Sequence, residues 1–255
     1  MSTLGFSYEA PAGTGDFIPI IKYDAKAGRF FRVDRVEGIN GWESQPVDIT
    51  DEFKALADLE NVEVGPINFN TGGAPSFLLA RRDEVADPKN PVGLPQAPDS
   101  NHKPGVRVML KLSAACGGDK RVRELAQNSR AFLGAIDKVI QLYLAEKDQH
   151  PGMLPVIALD GKPVGVKSGS GTRSSTNYHP KFKIVQWAPR GDLVYVPKTL
   201  KARAQSTSVN GNRTAQQQAT NTKTSPPDDD FDTAPSTGAQ RAEPPKQTNL
   251  ADDFG

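Results

Sequence analysis

Alternating apolar and polar positions predict a β-hairpin near the start of the chain. In the stretch "FIPIIKYDAKAGRFFRVDRV", residues 17–36, two runs rich in Ile, Phe, Tyr and Val flank a small, polar segment, Asp24 to Gly28. A turn of three to five residues that contains glycine is typical of such a hairpin. Cations and aromatic residues lie close together on both predicted strands.

Further strands follow the same logic. Alternation places Val106, Val108, Leu110 and Leu112 on one face of a strand from Gly105, and Arg107, Met109 and Lys111 on the other. We expect a strand over 62–69, a hairpin over 70–83 with its turn at 71–74, a hairpin around Asp160-Gly161, a strand near 182–187 and a short one over 193–196. The proline-rich stretch 86–104 is expected to be a loop.

Two segments show helical signals. Asp48 or Thr50 is a candidate cap for a short helix through Leu59. Apolar residues at three- and four-residue spacing predict a long helix over 120–148, capped by Asp119 and ended by His150-Pro151-Gly152.

These elements predict a mainly β fold with one long helix inserted between strands. A five-stranded Greek-key barrel of the oligonucleotide-binding (OB) type matches this order best, and an independent α+β sheet domain is the alternative. We assign residues 14–199 to this domain and 1–13 to a flexible N-terminus. From Lys201 apolar residues almost vanish, so we expect residues 200–255 to form a disordered linker with an acidic tail.

Composition narrows the cellular setting. Cys116 is the single cysteine of 255 residues, which excludes an intramolecular disulfide and is typical of a reducing compartment. The N-terminus lacks a signal-peptide pattern, and no apolar run approaches the roughly 20 residues of a membrane span. We therefore expect a cytoplasmic protein with no membrane partner.

The net charge of +1 is unevenly distributed. Residues 1–98 carry 9 Lys and Arg against 15 Asp and Glu, residues 99–200 carry 16 against 8, and residues 201–255 carry 6 against 7. The basic middle of the chain indicates affinity for polyanions, although a solvated surface would also explain it.

Catalytic patterns are weak. His102, His150 and His179 show no metal-ligand spacing, Cys116 lacks a nucleophile motif, and "GSGTRSS" from Gly169 lacks the phosphate-loop pattern. We therefore expect a protein that is not an enzyme and that binds no metal and no cofactor.

Mixed aromatic and cationic residues are the strongest functional signal. A protein that holds single-stranded nucleic acid needs cations for phosphates and exposed aromatic faces for bases. The candidate nucleic-acid-binding residues are Lys22, Tyr23, Arg29, Phe31, Arg32, Arg35, Arg81, Arg82, Arg107, Lys111, Arg173, Tyr178, Lys181, Lys183 and Trp187. Tyr23, Phe31, Tyr178 and Trp187 are the aromatics that we expect to be exposed.

The tail carries a repeated acidic-aromatic element, present in "PPDDDFD" and again in "LADDFG". A docking peptide needs one apolar anchor between its charges, whereas a tail that only aids solubility does not. The candidate partner-binding residues are Asp228, Asp229, Asp230, Phe231, Asp252, Asp253 and Phe254.

The segments "DFIPIIKYDAKAGRFFRVDR", "LKLSAACGGDKRVRELAQNSRAFLGAIDKVIQLY" and "LPVIALDGK…FKIVQWAPRGD" resemble parts of proteobacterial phage and prophage proteins over roughly residues 14–197. The overall plan also resembles single-stranded DNA-binding proteins of phages and bacteria, with a basic barrel, a polar linker and an acidic, aromatic tip. That resemblance implies a location in the cytoplasm of a bacterial host cell and a tip that docks onto replication and recombination proteins. The chain departs from the bacterial form, because Gly255 follows Phe254 where that form ends in proline-phenylalanine.

The leading hypothesis is a non-sequence-specific single-stranded DNA-binding protein of phage origin, acting in DNA replication, recombination or repair. An RNA-binding or annealing factor and a phage structural or adaptor protein that binds only protein are the alternatives. The adaptor would leave cationic and aromatic residues buried or scattered. Homo-oligomerisation is left open.

Overall fold

The structure is a computed structural model that describes residues 18–39, 41–86, 93–169 and 174–198. Over these residues the protein is mainly β with one long helix, which confirms the coarse fold prediction. Arg173, the N-terminal residues 1–13, the linker and the tail candidates Asp228, Asp229, Asp230, Phe231, Asp252, Asp253 and Phe254 lie outside the described residues.

Thirteen strands and two helices are present in the described part. The strands are β1 Ile20–Asp24, β2 Arg29–Gly38, β3 Gly41–Asp48, β4 Lys54–Ala57, β5 Glu63–Asn68, β6 Ser76–Phe77, β7 Ala80–Arg81, β8 Lys103–Leu112, β9 Val122–Gln127, β10 Met153–Leu159, β11 Val164–Ser168, β12 Ser175–His179 and β13 Phe182–Pro189. The helices are α1 Arg82–Val85 and α2 Arg130–Glu146, with 3₁₀ turns at Ala114–Cys116 and Lys147–Gln149.

Eleven strands form one open sheet. Its main path runs β13-β10-β4-β8-β9-β1-β2-β3, with β5 joined to β8 and the short strands β6 and β7 joined to β5. β11 and β12 form a separate two-stranded sheet. The two ends of the path, β13 and β3, do not pair with each other, so the sheet is not closed and the prediction of an OB-type five-stranded barrel is wrong.

The predicted hairpin at residues 17–36 is confirmed by β1 and β2, which pair antiparallel from Ile20↔Val33 to Asp24↔Arg29. The hairpin around Asp160-Gly161 is wrong. β10 pairs with β4 and β13 in the large sheet, while β11 turns away and pairs with β12. The predicted strand at 193–196 is also not formed.

Tertiary pairing overrides local helix signals at two places. Residues 54–57 form β4 between β8 and β10, and Ala55, Leu56 and Ala57 are all buried there, so the predicted helix through Leu59 is wrong. Residues 122–127 form β9 between β8 and β1. The long helix therefore begins only at Arg130, after Ser129, whose side chain accepts a hydrogen bond from the Phe132 backbone N–H and caps the helix.

The helix α2 covers one face of the sheet. Its residues Phe132, Ile136, Val139 and Ile140 pack in a cluster with alternate residues of the strands, such as Val108 on β8. We refer to this side of the sheet as the helix face. Burial of this apolar surface supplies the main stabilisation of the fold.

The opposite face of the sheet carries a second, smaller cluster. Leu56, Met109, Val156 and Ala188 pack there with Leu193. We refer to the segment 193–198, which follows β13 and lies against this opposite face, as the strap. Because side chains pack on both faces of the sheet, every residue of β8 from Gly105 to Leu112 is buried.

A charged cluster fixes the loop between β8 and β9. Arg123 has a fully buried side chain that donates to the Val33 carbonyl oxygen and to Asp34 at 2.7 Å. Arg32 also pairs with Asp34, at 2.8 Å, and donates to the Cys116 carbonyl oxygen. Burial acts to raise the pKa of Asp34, but the hydrogen bonds from Arg32 and Arg123 outweigh it, so the pKa lies below its usual range.

This cluster predicts acid sensitivity. Because the folded-state pKa of Asp34 is lowered, its stabilising contribution is present above the unfolded value of about 3.9 and is lost as the pH falls through the folded value. We expect Asp34→Asn to lower the free energy of unfolding at pH 7 by about 3 kcal/mol and to flatten its decline below about pH 4. Urea unfolding at several pH values measures both effects.

Asp119→Asn is the matched control, because Asp119 lies 3.9 Å from the same guanidinium but is exposed. It should change stability by less than about 0.5 kcal/mol. Equal effects of the two substitutions would contradict the assignment of Asp34 as the essential partner.

Candidate nucleic-acid interface

A large groove lies on the face of the sheet opposite α2. Its volume is about 1210 Å³, and its walls come from β1, β2 and β9, the loop between β5 and β6, and the end of the strap. Three phenylalanines, Phe31, Phe69 and Phe77, lie along it with Lys22 and Lys198.

Strand alternation explains how one hairpin supplies both core and groove. The strand β1 lines the groove from Ile20 to Asp24. The side chains of Ile21 and Tyr23 are buried in the cluster beneath α2, and alternation places Ile20 and Lys22 on the opposite, groove face. Phe31 on β2 is directly opposite Lys22, so these two side chains share the groove face. Neighbouring residues of this hairpin therefore lie on opposite faces of the sheet, one facing the core and the next facing the groove.

Phe69 and Phe77 form the opposite wall. They flank the loop between β5 and β6, and their rings meet edge to face with centroids 6.2 Å apart. Phe69 is 38% exposed. The Lys198 ammonium lies 4.5 Å from the Phe77 ring centroid, a cation–π distance.

The groove floor is a buried ionic network centred on Arg107. Its guanidinium pairs with Glu63 at 2.5 Å and with Glu124 at 2.9 Å, which ties β8 to both β5 and β9. The side chains of Arg107 and Glu63 are almost completely buried. Such a pair is strongly destabilising to break, because the remaining carboxylates lose their counter-charge.

Three residues of the strap join this network. Arg107 donates to the Val196 carbonyl oxygen at 2.8 Å, and the Tyr195 hydroxyl and the Lys198 backbone N–H donate to Glu63 at 3.0 and 3.1 Å. The Lys198 ammonium also pairs with Glu124. Burial, followed by the neighbouring charge of Glu63, raises the pKa of Tyr195, so its hydroxyl stays protonated. The network therefore positions Lys198 in the groove.

Lys22 is the groove cation that remains available. The cations of the lining are Lys22, Arg107 and Lys198, and its carboxylates are Asp24 and Glu124. Arg107 and Lys198 are neutralised within the network, whereas the exposed Lys22 forms no ion pair with another described residue. Over the described residues the groove is thus mainly apolar and aromatic, with Lys22 as its cation and Asp24 as its carboxylate outside any ion pair.

The groove face continues onto a projecting hairpin formed by the ends of β2 and β3, which we refer to as the arm. Arg35 is four residues after Phe31 on β2, and this even spacing places both side chains on the same face. Trp42 pairs with Glu37 on the same face and is 66% exposed. An aromatic side chain and a cation therefore extend the groove face beyond the groove itself.

The structure separates the remaining sequence-predicted residues. Tyr23 is buried in the aromatic cluster with Phe30 and Phe132, so the prediction of its exposure is wrong. Arg107 and Lys111 are buried in ion pairs with Glu63, Glu124 and Asp192, so they do not present free charge as we expected. In each case a partner distant in sequence decides the outcome.

Other candidates lie away from the groove. Arg29 and Arg32 pair with Asp48 and Asp34, Arg81 pairs with Asp83, and Lys181 and Lys183 lie near Asp160. The half-buried Tyr178 packs across Gly28, where an added Cβ would come within 2.8 Å of it. The half-buried Trp187 stacks on His150 with ring centroids 4.3 Å apart.

Sequence reasoning did not assign Phe69, Phe77, Trp42 or Lys198 to the site. The sequence signal for Phe69 and Phe77 is the glycine-rich turn at 71–74 between them. This turn closes the pairing of β5 with β6, in which Ile67 is opposite Phe77. Lys198 had no such signal, because its position depends on the buried network.

A serine, a histidine and an aspartate also come together outside the groove. His102 Nδ1 lies 2.8 Å from Asp99, and His102 Nε2 lies 3.1 Å from the Ser76 Oγ. The same chain of contacts, from aspartate through histidine to serine, occurs in acyl-transfer triads. Asp99 also accepts the backbone N–H groups of Asn101 and His102, and Ser76 does not line the groove, so we interpret the cluster as an anchor for the 99–102 turn.

Comparisons with known proteins do not identify a relative: no family model, no curated protein and no solved structure matches the chain. Within the described ranges no group of three or more His, Cys, Asp or Glu side chains could hold a metal ion. No helix of the described part is both long and apolar enough to span a membrane.

The network predicts that substitution of Arg107 strongly lowers the stability of the fold. Arg107→Met should lower the free energy of unfolding by about 3–5 kcal/mol, because Glu63 and Glu124 lose their shared counter-charge. Tyr195→Phe removes one hydrogen bond to Glu63 and should cost about 1 kcal/mol. Chemical denaturation measures both values.

A variant that replaces Arg107 with Met and both glutamates with Gln serves as the control. It should recover part of the lost stability, because it removes the unpaired charges. No recovery would show that shape and packing, rather than charge, account for the loss.

Proposed function

We propose that the protein binds single-stranded DNA without sequence specificity, with the bases against the phenylalanines of the groove. The observation that carries the proposal is the combination of Phe31, Phe69 and Phe77 with Lys22 in one groove. Aromatic faces bind every base by stacking, and a cation beside them can contact the phosphate backbone.

The arm supports a path longer than the groove. Trp42 and Arg35 share the face of Phe31, so a strand leaving the groove could run along β2 and β3. The role in replication, recombination or repair, together with the recruitment of partner proteins by the acidic tail, extends this proposal from the sequence analysis.

The apolar character of the groove gives a second candidate some support. Many of the sequence-predicted cations are paired or distant from the groove, and scattered cations are what a protein-only adaptor predicts. The adaptor would place an apolar peptide on the phenylalanines and would not bind oligo-dT. An RNA-binding factor would prefer a matched RNA strand in competition, because recognition of the 2′-hydroxyl separates the two polymers.

The DNA proposal predicts distinct effects of an aromatic and a cationic substitution. Phe31→Ala should weaken oligo-dT binding by about 1–3 kcal/mol, or about 5- to 150-fold, because one stacking surface is lost. Lys22→Gln should weaken binding and reduce the slope of log affinity against log salt by about 1, because one phosphate contact is lost. Fluorescence anisotropy of labelled oligo-dT at several salt concentrations measures both.

Leu142→Ala is the control for Phe31→Ala, since Leu142 is an exposed apolar residue of α2 at 45%. It should leave oligo-dT affinity unchanged, and circular dichroism should show that all three variants remain folded. Wild-type protein that does not bind oligo-dT at low salt, or equal effects of Phe31→Ala and Leu142→Ala, would overturn the proposal.

A further inference from the structure

A second, smaller cavity of about 390 Å³ lies where the C-terminal end of α2 meets α1 and the start of β10. It has no lining residue in common with the groove. Its volume is within the range of small-molecule sites. Nine ionisable side chains line the cavity, and four of them, Glu60, Arg81, Asp83 and Arg190, form ion pairs within the protein.

Two of its arginines are already neutralised. Arg190 pairs with Asp58 at 2.6 Å and with Glu60 at 2.7 Å, and the hydrogen bond to Asp58 is the main cause that raises the pKa of Arg190. Arg81 pairs with Asp83. These contacts use the carboxylates of Glu60 and Asp83, which also line the cavity.

Arg82 differs from both. Its Nε is buried and has no hydrogen-bond partner, and its guanidinium forms no ion pair with another described residue. A buried donor without an acceptor costs about 1–3 kcal/mol. Native proteins rarely leave such a group unsatisfied, so we expect an acceptor from outside the described chain, a water or a ligand, at the Arg82 Nε.

Further donors line the same cavity. The Tyr143 hydroxyl forms no hydrogen bond with a described residue, and burial, followed by the charges of Glu60 and Asp58, raises its pKa, so it stays a donor. Lys147 forms no ion pair in the described part of the chain. The exposed Asp148 is the lining carboxylate that remains unpaired there.

We propose that this cavity binds a phosphate group, with Arg82, Lys147 and Tyr143 as the donors. A phosphate oxygen can accept the Arg82 Nε–H, and the other oxygens can accept from the ammonium and the hydroxyl. The group can belong to a free phosphate or phosphomonoester, or to the backbone of a bound strand. The second source deepens the proposed function, whereas the first is independent of it.

The two tryptophans allow the cavity and the groove to be observed separately. Trp187 stacks on His150, a lining residue of the cavity, while Trp42 is on the arm. In full-length Trp42→Phe protein, titration with inorganic phosphate at constant ionic strength should change the Trp187 fluorescence saturably. Phosphate should also raise the melting temperature, because it binds the folded state.

Arg82→Gln should weaken phosphate binding at least 10-fold by both readouts. Lys147→Gln, at an exposed position, should weaken phosphate binding less than Arg82→Gln. It replaces Arg82→Gln as the test if that variant does not fold. Arg130→Gln is the matched control, since it removes one exposed positive charge from the opposite end of α2. It should leave phosphate binding unchanged.

A second titration identifies the source of the phosphate. If the backbone supplies it, oligo-dT without terminal phosphates changes the Trp187 signal and Arg82→Gln weakens oligo-dT binding. If a free ligand supplies it, oligo-dT leaves the signal unchanged while inorganic phosphate still binds. Phe31→Ala should not alter phosphate binding, so failure of the groove proposal remains distinguishable.

The proposal is overturned if neither inorganic phosphate nor oligo-dT changes the Trp187 fluorescence or the melting temperature. It is also overturned if Arg130→Gln weakens phosphate binding as much as Arg82→Gln, because the effect would then be one of overall charge.

Discussion

The buried pairing of Arg107 with Glu63 and Glu124 is the interaction on which the second face of the sheet depends. It joins β8 to β9, the next strand along the chain, and to β5, whose Glu63 lies 44 residues from Arg107. The strap forms the outer layer of this network. The charges are tolerated in the interior because each has an opposite partner and several hydrogen bonds. Without this network the strap would lose its three polar anchors and the groove would lose its floor.

The two faces of the sheet therefore differ in the chemistry of their side chains. The helix face is a packed apolar and aromatic core, with Tyr23, Phe30 and Phe132 in mutual contact. The opposite face is apolar near Leu193, ionic at Arg107 and aromatic at the groove. Lys198, the last residue of the strap, lines the groove.

Local patterns predicted the first hairpin because β1 and β2 are neighbours in sequence and the glycine turn closes them. Local patterns could not decide which of Tyr23 and Phe31 is exposed, since that depends on where α2 docks. They also misassigned residues 122–127, whose strand conformation is imposed by pairing with β8 and β1. Arg107 looked like part of a polar surface because Glu63, its partner, lies 44 residues away.

The central claim is that single-stranded DNA lies on the phenylalanines of the groove, and photochemical crosslinking with peptide mapping tests it most directly. Full-length protein irradiated with oligo-dT should yield crosslinks in the peptides that contain Phe31 and the segment from Phe69 to Phe77. Crosslinks confined to other surfaces, such as β11, β12 and the Lys181–Lys183 region, would contradict the account. Absence of any crosslink under conditions where oligo-dT binds would also count against stacking in the groove.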